Sequence, residues 1–179
     1  AVSKELYAKA AEKGIEMLDA PVSGGEPKAI DGTMSIMVGG KKEVFESVKD
    51  VLLSMGASAI LMGDIGSGNI CKLANQIMVA LHLSAVAEAM VFAEKAGVNT
   101  ELVYNAIRGG LAGSTVLDAK MPMILDRNFK PGGPIWMHTK DLINVRDAAL
   151  AIDAPIPLTT QILEAMKAMM AGRMTTIAE

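Results

Sequence analysis

The sequence predicts an α/β segment followed by an all-α segment. Three observations lead to this fold class. In the first third of the chain, short apolar runs bounded by glycine alternate with helical patterns. After Gly63 no strand pattern occurs, and apolar residues recur at helical spacing instead. Between Asn69 and Ala96 there is neither proline nor glycine, so this stretch predicts one helix of roughly 40 Å.

The elements of the first part follow from its glycines and its apolar spacing. A first helix is expected to end near Lys13 with Gly14 as its C-cap, and a second covers Lys41–Met55 with its apolar residues on one face. The expected strands are Ile15–Ala20, Gly32–Gly40 and Ser58–Gly63, and Pro21–Gly25 is expected to form a turn.

The second part predicts helices alone. The long helix 69–96 is apolar almost all round, which is typical of a helix that is buried or crosses between domains or subunits. The helices expected after it are Thr100–Arg108, capped by Asn99 or Thr100, and then Ser114–Leu125, Thr139–Ile152 and Leu158–Gly172. A boundary near Asp64–Gly68 divides the chain into residues 1–65 and residues 66–179.

Composition excludes several classes of protein. With 51% hydrophobic and 21% charged residues among 179, the chain is not a disordered one. A net charge of −3 without a basic block argues against a nucleic-acid partner. Lys, Glu, Asn or Gly interrupts the longest apolar stretches, so no membrane-spanning segment is expected. The single Cys71 fits a reducing cytoplasm, and with two distant histidines it gives no metal-site spacing.

Lys72 is the first candidate for chemistry. It follows the glycine-rich turn at Gly66 and Gly68 and lies near the start of a helix, where the helix dipole disfavours a cation. Burial and the helix terminus should both favour its neutral form and lower its pKa below the usual value of about 10.4. An exposed lysine that extends to solvent is the alternative. Asn75 lies three residues further on and shares the face of Lys72.

Two further segments offer groups that bind ligands. Ser23-Gly24-Gly25 presents a hydroxyl and unobstructed backbone N–H groups, which suit a carboxylate, although a turn that needs glycine for positive φ explains the same residues. Lys140 precedes Asp141 and Leu142 and is expected to open a helix after the irregular run 131–138; a surface lysine beside Asp141 is the alternative.

Together, Asp19–Gly25, Gly32–Gly40, Gly66-x-Gly68-x-x-x-Lys72-x-x-Asn75 and Lys140-Asp141-Leu142 resemble the β-hydroxyacid dehydrogenase family. That family includes 3-hydroxyisobutyrate dehydrogenases and tartronate semialdehyde reductases, and the stretches Asp19–Ala29 and Tyr104–Lys120 resemble the latter subgroup. The resemblance implies the C-terminal part of a Rossmann-type nucleotide-binding domain, followed by a helical domain like the C-terminal domain of 6-phosphogluconate dehydrogenase, for substrate binding and oligomerisation.

The resemblance also implies a role for each candidate residue. Ser23, Gly24 and Gly25 would bind the substrate carboxylate, Lys72 would be the catalytic acid/base with Asn75 binding substrate beside it, and Lys140 would contact the nicotinamide end of NAD or NADP. The loop 109–114 is expected to connect two helices rather than to bind phosphate. Relatives usually carry an aromatic residue where this chain has Gly133, so packing against the cofactor is expected to differ.

The implied reaction is NAD(P)-dependent reduction of tartronate semialdehyde to D-glycerate by a cytoplasmic homo-oligomer assembled through its helical domain. Another small β-hydroxyacid substrate is the first alternative. A non-catalytic oligomerising fragment is the second, because the Gly-x-Gly dinucleotide fingerprint with which family members begin does not occur here. The resemblance also implies that the chain is truncated at its N-terminus and at its C-terminus.

Overall fold

The computed structural model describes residues 2–130 and 132–172. The chain forms two compact units, Ala1–Asn75 and Gln76–Glu179. The sheet belongs to the first unit, and the described residues of the second form helices connected by loops. The longest helix, α4 (Ser67–Lys95), contributes its first nine residues to the first unit and the others to the second.

The first unit is a three-stranded sheet with a crossover helix. Its elements before α4 are α1 (Val2–Ala11), β1 (Val22–Ser23), α2 (Gly25–Ile30), β2 (Met34–Gly39), α3 (Lys42–Leu53) and β3 (Gly56–Gly63). The strand order is β1-β2-β3, with β1 antiparallel and β3 parallel to β2. Phe45 of α3 packs on Ile36 and Val38 of β2 and forms the core of this unit.

The prediction of a strand at Ile15–Ala20 is wrong, because the pairing with β2 begins several residues later in the sequence. The observed antiparallel pairs with β2 are Asp19 with Gly39, Val22 with Ile36 and Ser23 with Ser35. These pairs share one register, so the chain runs antiparallel to β2 from Asp19 to Ser23. At Pro21 the carbonyl oxygen accepts a hydrogen bond of 3.0 Å from the Met37 N–H, but the reciprocal bond is absent because proline has no N–H to donate. The sequence also missed α2, because its glycine and proline are typical of turns; Pro27 lies in the first turn, where a helix tolerates it.

The start of α4 is fixed by a buried carboxylate. Asp19 is only 5% exposed. Its two oxygens accept hydrogen bonds from the backbone N–H of Gly66 (2.6 Å), from that of Asn69 (2.7 Å) and from the Asn69 side-chain amide (2.8 Å). N–H groups at a helix start lack partners within the helix and attract negative charge. Gly68 allows the close approach, since a Cβ there would lie 2.3 Å from the Met37 carbonyl oxygen.

The second unit packs four further helices with the rest of α4. They are α5 (Thr100–Ile107), α6 (Thr115–Leu125), α7 (Ile135–Ala151) and α8 (Pro157–Ala171). Val86 and Met90 of α4 form a core with Tyr104, Leu117 and Met121. Burial, together with a hydrogen bond to Asp118, raises the pKa of the Tyr104 phenol above its usual 10.0.

Most helix boundaries in this unit agree with the sequence. Asn99 caps α5 by accepting from two backbone N–H groups, and Ser114 caps α6. The start of α7 was predicted four residues too late. Pro134 is its N-cap, with φ −66° and ψ 148°, so the helix begins directly afterwards at Ile135. Lys140 consequently lies in the second turn of α7 rather than at its opening.

The expectation that no apolar stretch reaches membrane-spanning length is wrong for α4. This helix has 29 residues and a mean hydropathy of 1.6 in its most apolar window, which is enough to cross a membrane by length and composition. That criterion is weak on its own, because core helices of soluble proteins also satisfy it. Val86 and Met90 show that part of the same helix is a core element of the second unit.

We expect Asp19→Ala to lower the free energy of unfolding by about 3 kcal/mol, because three N–H groups lose a charged, buried acceptor. Urea denaturation followed by circular dichroism measures this. Asp50→Ala, which removes an exposed carboxylate from α3, is the matched control. Equal losses in the two variants would contradict the role given to Asp19.

Candidate functional site

The structure brings together two of the predicted substrate-binding residues. Ser23 ends β1, and its hydroxyl donates a hydrogen bond to the side-chain oxygen of Asn75 in α4 at 3.3 Å. Both residues are half-buried, and 52 positions separate them in the chain. The predicted carboxylate-binding turn is therefore in direct contact with the helix that carries Lys72.

Gly24 and Gly25 continue from Ser23 in conformations that favour glycine. Their φ angles are 146° and 67°, and Gly24 is the N-cap of α2. A Cβ on Gly24 would lie 2.6 Å from Cβ of Lys28. The requirement for positive φ is thus real, and it keeps the backbone beside Ser23 free of side chains. Binding of a carboxylate by this turn stays a prediction.

Lys72 lies in the second turn of α4, one turn before Asn75. The spacing of three residues places the two side chains on one face of the helix. Lys72 is half-buried. Because Asp19 fixes the start of α4 and Ser23 contacts Asn75, this short stretch of helix is anchored on both sides of Lys72. The lowered pKa and catalytic role of Lys72 stay predictions.

Lys140, the predicted cofactor-binding residue, belongs to the second unit. Its ammonium group lies 3.0 Å from Oδ1 of Asp141, and its side chain is 61% exposed. Oδ2 of Asp141 accepts a hydrogen bond of 2.7 Å from the side-chain amide of Gln76 in α4. Sequence reasoning did not assign a role to Gln76. The available signal was a second amide directly after Asn75 in a helix that is otherwise largely apolar.

A nicotinamide cofactor is implied by the resemblance, and Lys140 fits one. Its ammonium group is accessible to a ligand, and the residue belongs to α7, a helix of 17 residues. The neighbouring carboxylate of Asp141 limits where that ammonium group lies. This residue would therefore offer a cationic hydrogen-bond donor to a polar group of the cofactor.

Two family models match consecutive parts of the chain. Residues 1–63 match the NAD binding domain of 6-phosphogluconate dehydrogenase, and residues 66–176 match the model described as NAD-binding of NADP-dependent 3-hydroxyisobutyrate dehydrogenase. The chain belongs to the β-hydroxyacid dehydrogenase family. The predictions of this family and of an NAD- or NADP-binding protein are thereby confirmed.

Among family relatives, 2-hydroxy-3-oxopropionate reductase of Escherichia coli (strain K12) is 44% identical over 88% of this chain and 54% of its own length. The 2-(hydroxymethyl)glutarate dehydrogenase of Eubacterium barkeri is 37% identical over 92% of this chain and 56% of its own length. The chain thus spans about half the length of these relatives.

A solved structure of Mycobacterium tuberculosis 3-hydroxyisobutyrate dehydrogenase with L-serine is also similar. Its TM-score is 0.87 at 31% identity, covering 94% of this chain and 60% of that one. The predicted fold class, a Rossmann-type portion followed by the helical domain of this family, is confirmed. The two family models meet between residues 63 and 66, whereas the compact units divide after Asn75.

We expect Gly24→Ala to destabilise the first unit by about 1–3 kcal/mol, because alanine at φ 146° is strained and its Cβ meets the Lys28 side chain. Gly109→Ala is the control, since a Cβ at that exposed loop position meets nothing within 4 Å. Chemical denaturation of the two variants measures the difference. An unchanged midpoint for Gly24→Ala would show that the turn does not need glycine.

Proposed function

We propose that the protein is an NAD(P)-dependent oxidoreductase that reduces tartronate semialdehyde (2-hydroxy-3-oxopropanoate) to D-glycerate. The observation that carries this proposal is the hydrogen bond between Ser23 and Asn75. This bond joins the Ser23–Gly25 turn, which is suited to a carboxylate, to the face of α4 that carries Lys72. The similarity to the 2-hydroxy-3-oxopropionate reductase of E. coli supports the choice of substrate.

Each candidate residue has a defined role in this reaction. The hydroxyl of Ser23 and the backbone N–H groups of Gly24 and Gly25 bind the substrate carboxylate. Nζ of Lys72 donates a proton to the carbonyl oxygen as negative charge develops there, and Asn75 orients that oxygen. A bound reduced nicotinamide would supply the hydride, and Lys140 would hold its nicotinamide end. In the reverse direction Lys72 accepts the proton from the hydroxyl group.

A second candidate is a related dehydrogenase acting on another small β-hydroxyacid. The Eubacterium barkeri relative is named for 2-(hydroxymethyl)glutarate, which supports a wider range of substrates at this identity. The structural neighbour is a 3-hydroxyisobutyrate dehydrogenase. Steady-state assays of the intact protein with these acids and with tartronate semialdehyde separate the candidates by kcat/KM.

A third candidate is a non-catalytic, oligomerising role for the 179-residue chain. Titrating the chain with NADH and NADPH tests it, since micromolar affinity would contradict it.

We also propose a cytoplasmic homo-oligomer that assembles through the helical domain, without nucleic-acid or membrane partners. The exposed apolar side chains of Met78, Val91 and Phe92 on α4 support such self-association.

We expect Lys72→Ala to lower kcat by about 10²–10⁴-fold while changing the Kd for NADPH or NADH little, because proton donation is lost and cofactor contacts are kept. Stopped-flow assays and fluorescence titration of the intact protein measure the two quantities. Lys95→Ala, which changes an exposed lysine in the last turn of the same helix, is the matched control. Near-normal turnover in Lys72→Ala would overturn the assignment.

A further inference from the structure

Gln76 of α4 contacts Asp141 and His138 of α7. Its side-chain amide donates to Oδ2 of Asp141 at 2.7 Å, and Nε2 of His138 lies 3.4 Å from its backbone oxygen. Gln76 is 9% exposed, so its amide has little access to water. A buried amide must find partners within the protein, and one of its partners here is the carboxylate of Asp141. The second turn of α7 is thereby held against one residue of α4.

The carboxylate of Asp141 divides its two oxygens between two donors. Oδ2 receives the Gln76 amide, and Oδ1 lies 3.0 Å from the ammonium group of Lys140. The Asp141 side chain is 25% exposed and that of Lys140 is 61% exposed. The contacts from Gln76 through Asp141 to Lys140 therefore lead from the interior to the surface. With Oδ2 occupied, rotation of the carboxylate is restricted and the place of Oδ1 is set.

This arrangement differs from an ordinary surface ion pair. An exposed pair of flexible side chains holds neither partner firmly and contributes little to stability. Neighbouring residues of a helix also point about 100° apart, so helical spacing alone does not bring Lys140 to Asp141. Here the Asp141 side chain is short, and the buried amide of Gln76 holds its carboxylate. The ammonium group of Lys140 therefore has a partner, Oδ1 of Asp141, whose position is fixed.

We propose that Gln76 is a positioning residue that acts through Asp141 on Lys140 and so prepares the ammonium group for the nicotinamide end of the cofactor. This inference rests on the proposed function, because it requires that Lys140 contacts a bound nicotinamide. Removing the amide leaves Oδ2 of Asp141 without that donor. The carboxylate then turns, and Lys140 loses its defined position.

A double-mutant cycle on the intact protein tests the proposal. The variants are Gln76→Leu, Lys140→Ala and their combination, and the measurement is the Kd for NADPH and for NADH by fluorescence titration. We expect Gln76→Leu to raise Kd about ten-fold, the effect of one hydrogen bond to a charged group. In the Lys140→Ala background, the same change should have almost no further effect. Gln161→Leu, at an exposed position of α8, is the matched control and should leave Kd unchanged.

The outcomes separate this inference from the proposed function. If the unchanged protein binds neither cofactor, the proposed function fails and the inference fails with it. If the protein binds cofactor but Gln76→Leu behaves like Gln161→Leu, the positioning role alone is overturned. If Gln76→Leu weakens binding equally with and without Lys140, Gln76 does not act through that lysine, and a merely structural role replaces the proposal.

A second variant guards against misfolding of Gln76→Leu, which circular dichroism would reveal. Asp141→Asn keeps an oxygen that accepts from Gln76 and removes the negative charge that faces Lys140. We expect it to raise Kd by a similar factor, with the increase again lost in the Lys140→Ala background. Unchanged cofactor binding in Asp141→Asn would overturn the proposal independently of the first cycle.

Discussion

The carboxylate of Asp19 is the constraint on which the candidate substrate site depends. It satisfies N–H groups at the start of α4 and adds a negative charge where the helix dipole favours one. Its backbone is also paired with Gly39 of the central strand. One buried residue therefore joins the sheet to the helix that carries Lys72. The glycines at 39 and 68 make this junction possible, since a Cβ at either would collide with neighbouring atoms.

A second contact completes the attachment. From Asp19 the chain runs antiparallel to β2 as far as Ser23, and from Asn69 the helix continues to Asn75. The two segments meet at both ends, at Asp19 with Asn69 and at Ser23 with Asn75. Two rigid segments joined at two points have a defined orientation. The hydroxyl of Ser23 and the helix face of Lys72 consequently keep one arrangement, as a site that must orient a small acid requires.

The sequence was informative where local patterns decide the structure. Apolar spacing and capping residues such as Asn99 and Ser114 predicted the helices, because those signals act within a few residues. The strand at 15–20 was placed wrongly, since only pairing with β2 determines which residues form the ladder. The contacts of Asn75 with Ser23 and of Gln76 with Asp141 span 52 and 65 positions. No local pattern reports on such distances, and the resemblance to relatives supplied roles without supplying these contacts.

The proposed site at α4 constrains the type of reaction more tightly than it constrains the identity of the substrate. A turn that binds a carboxylate and a lysine that donates a proton, the roles proposed for Ser23–Gly25 and Lys72, would serve any small β-hydroxyacid, because every such acid presents a carboxylate and an oxygen that changes charge. Discrimination must come from groups that meet the rest of the substrate. Similarity in the proposed carboxylate-binding turn alone therefore does not define the substrate, and kcat/KM across several acids is the quantity that does.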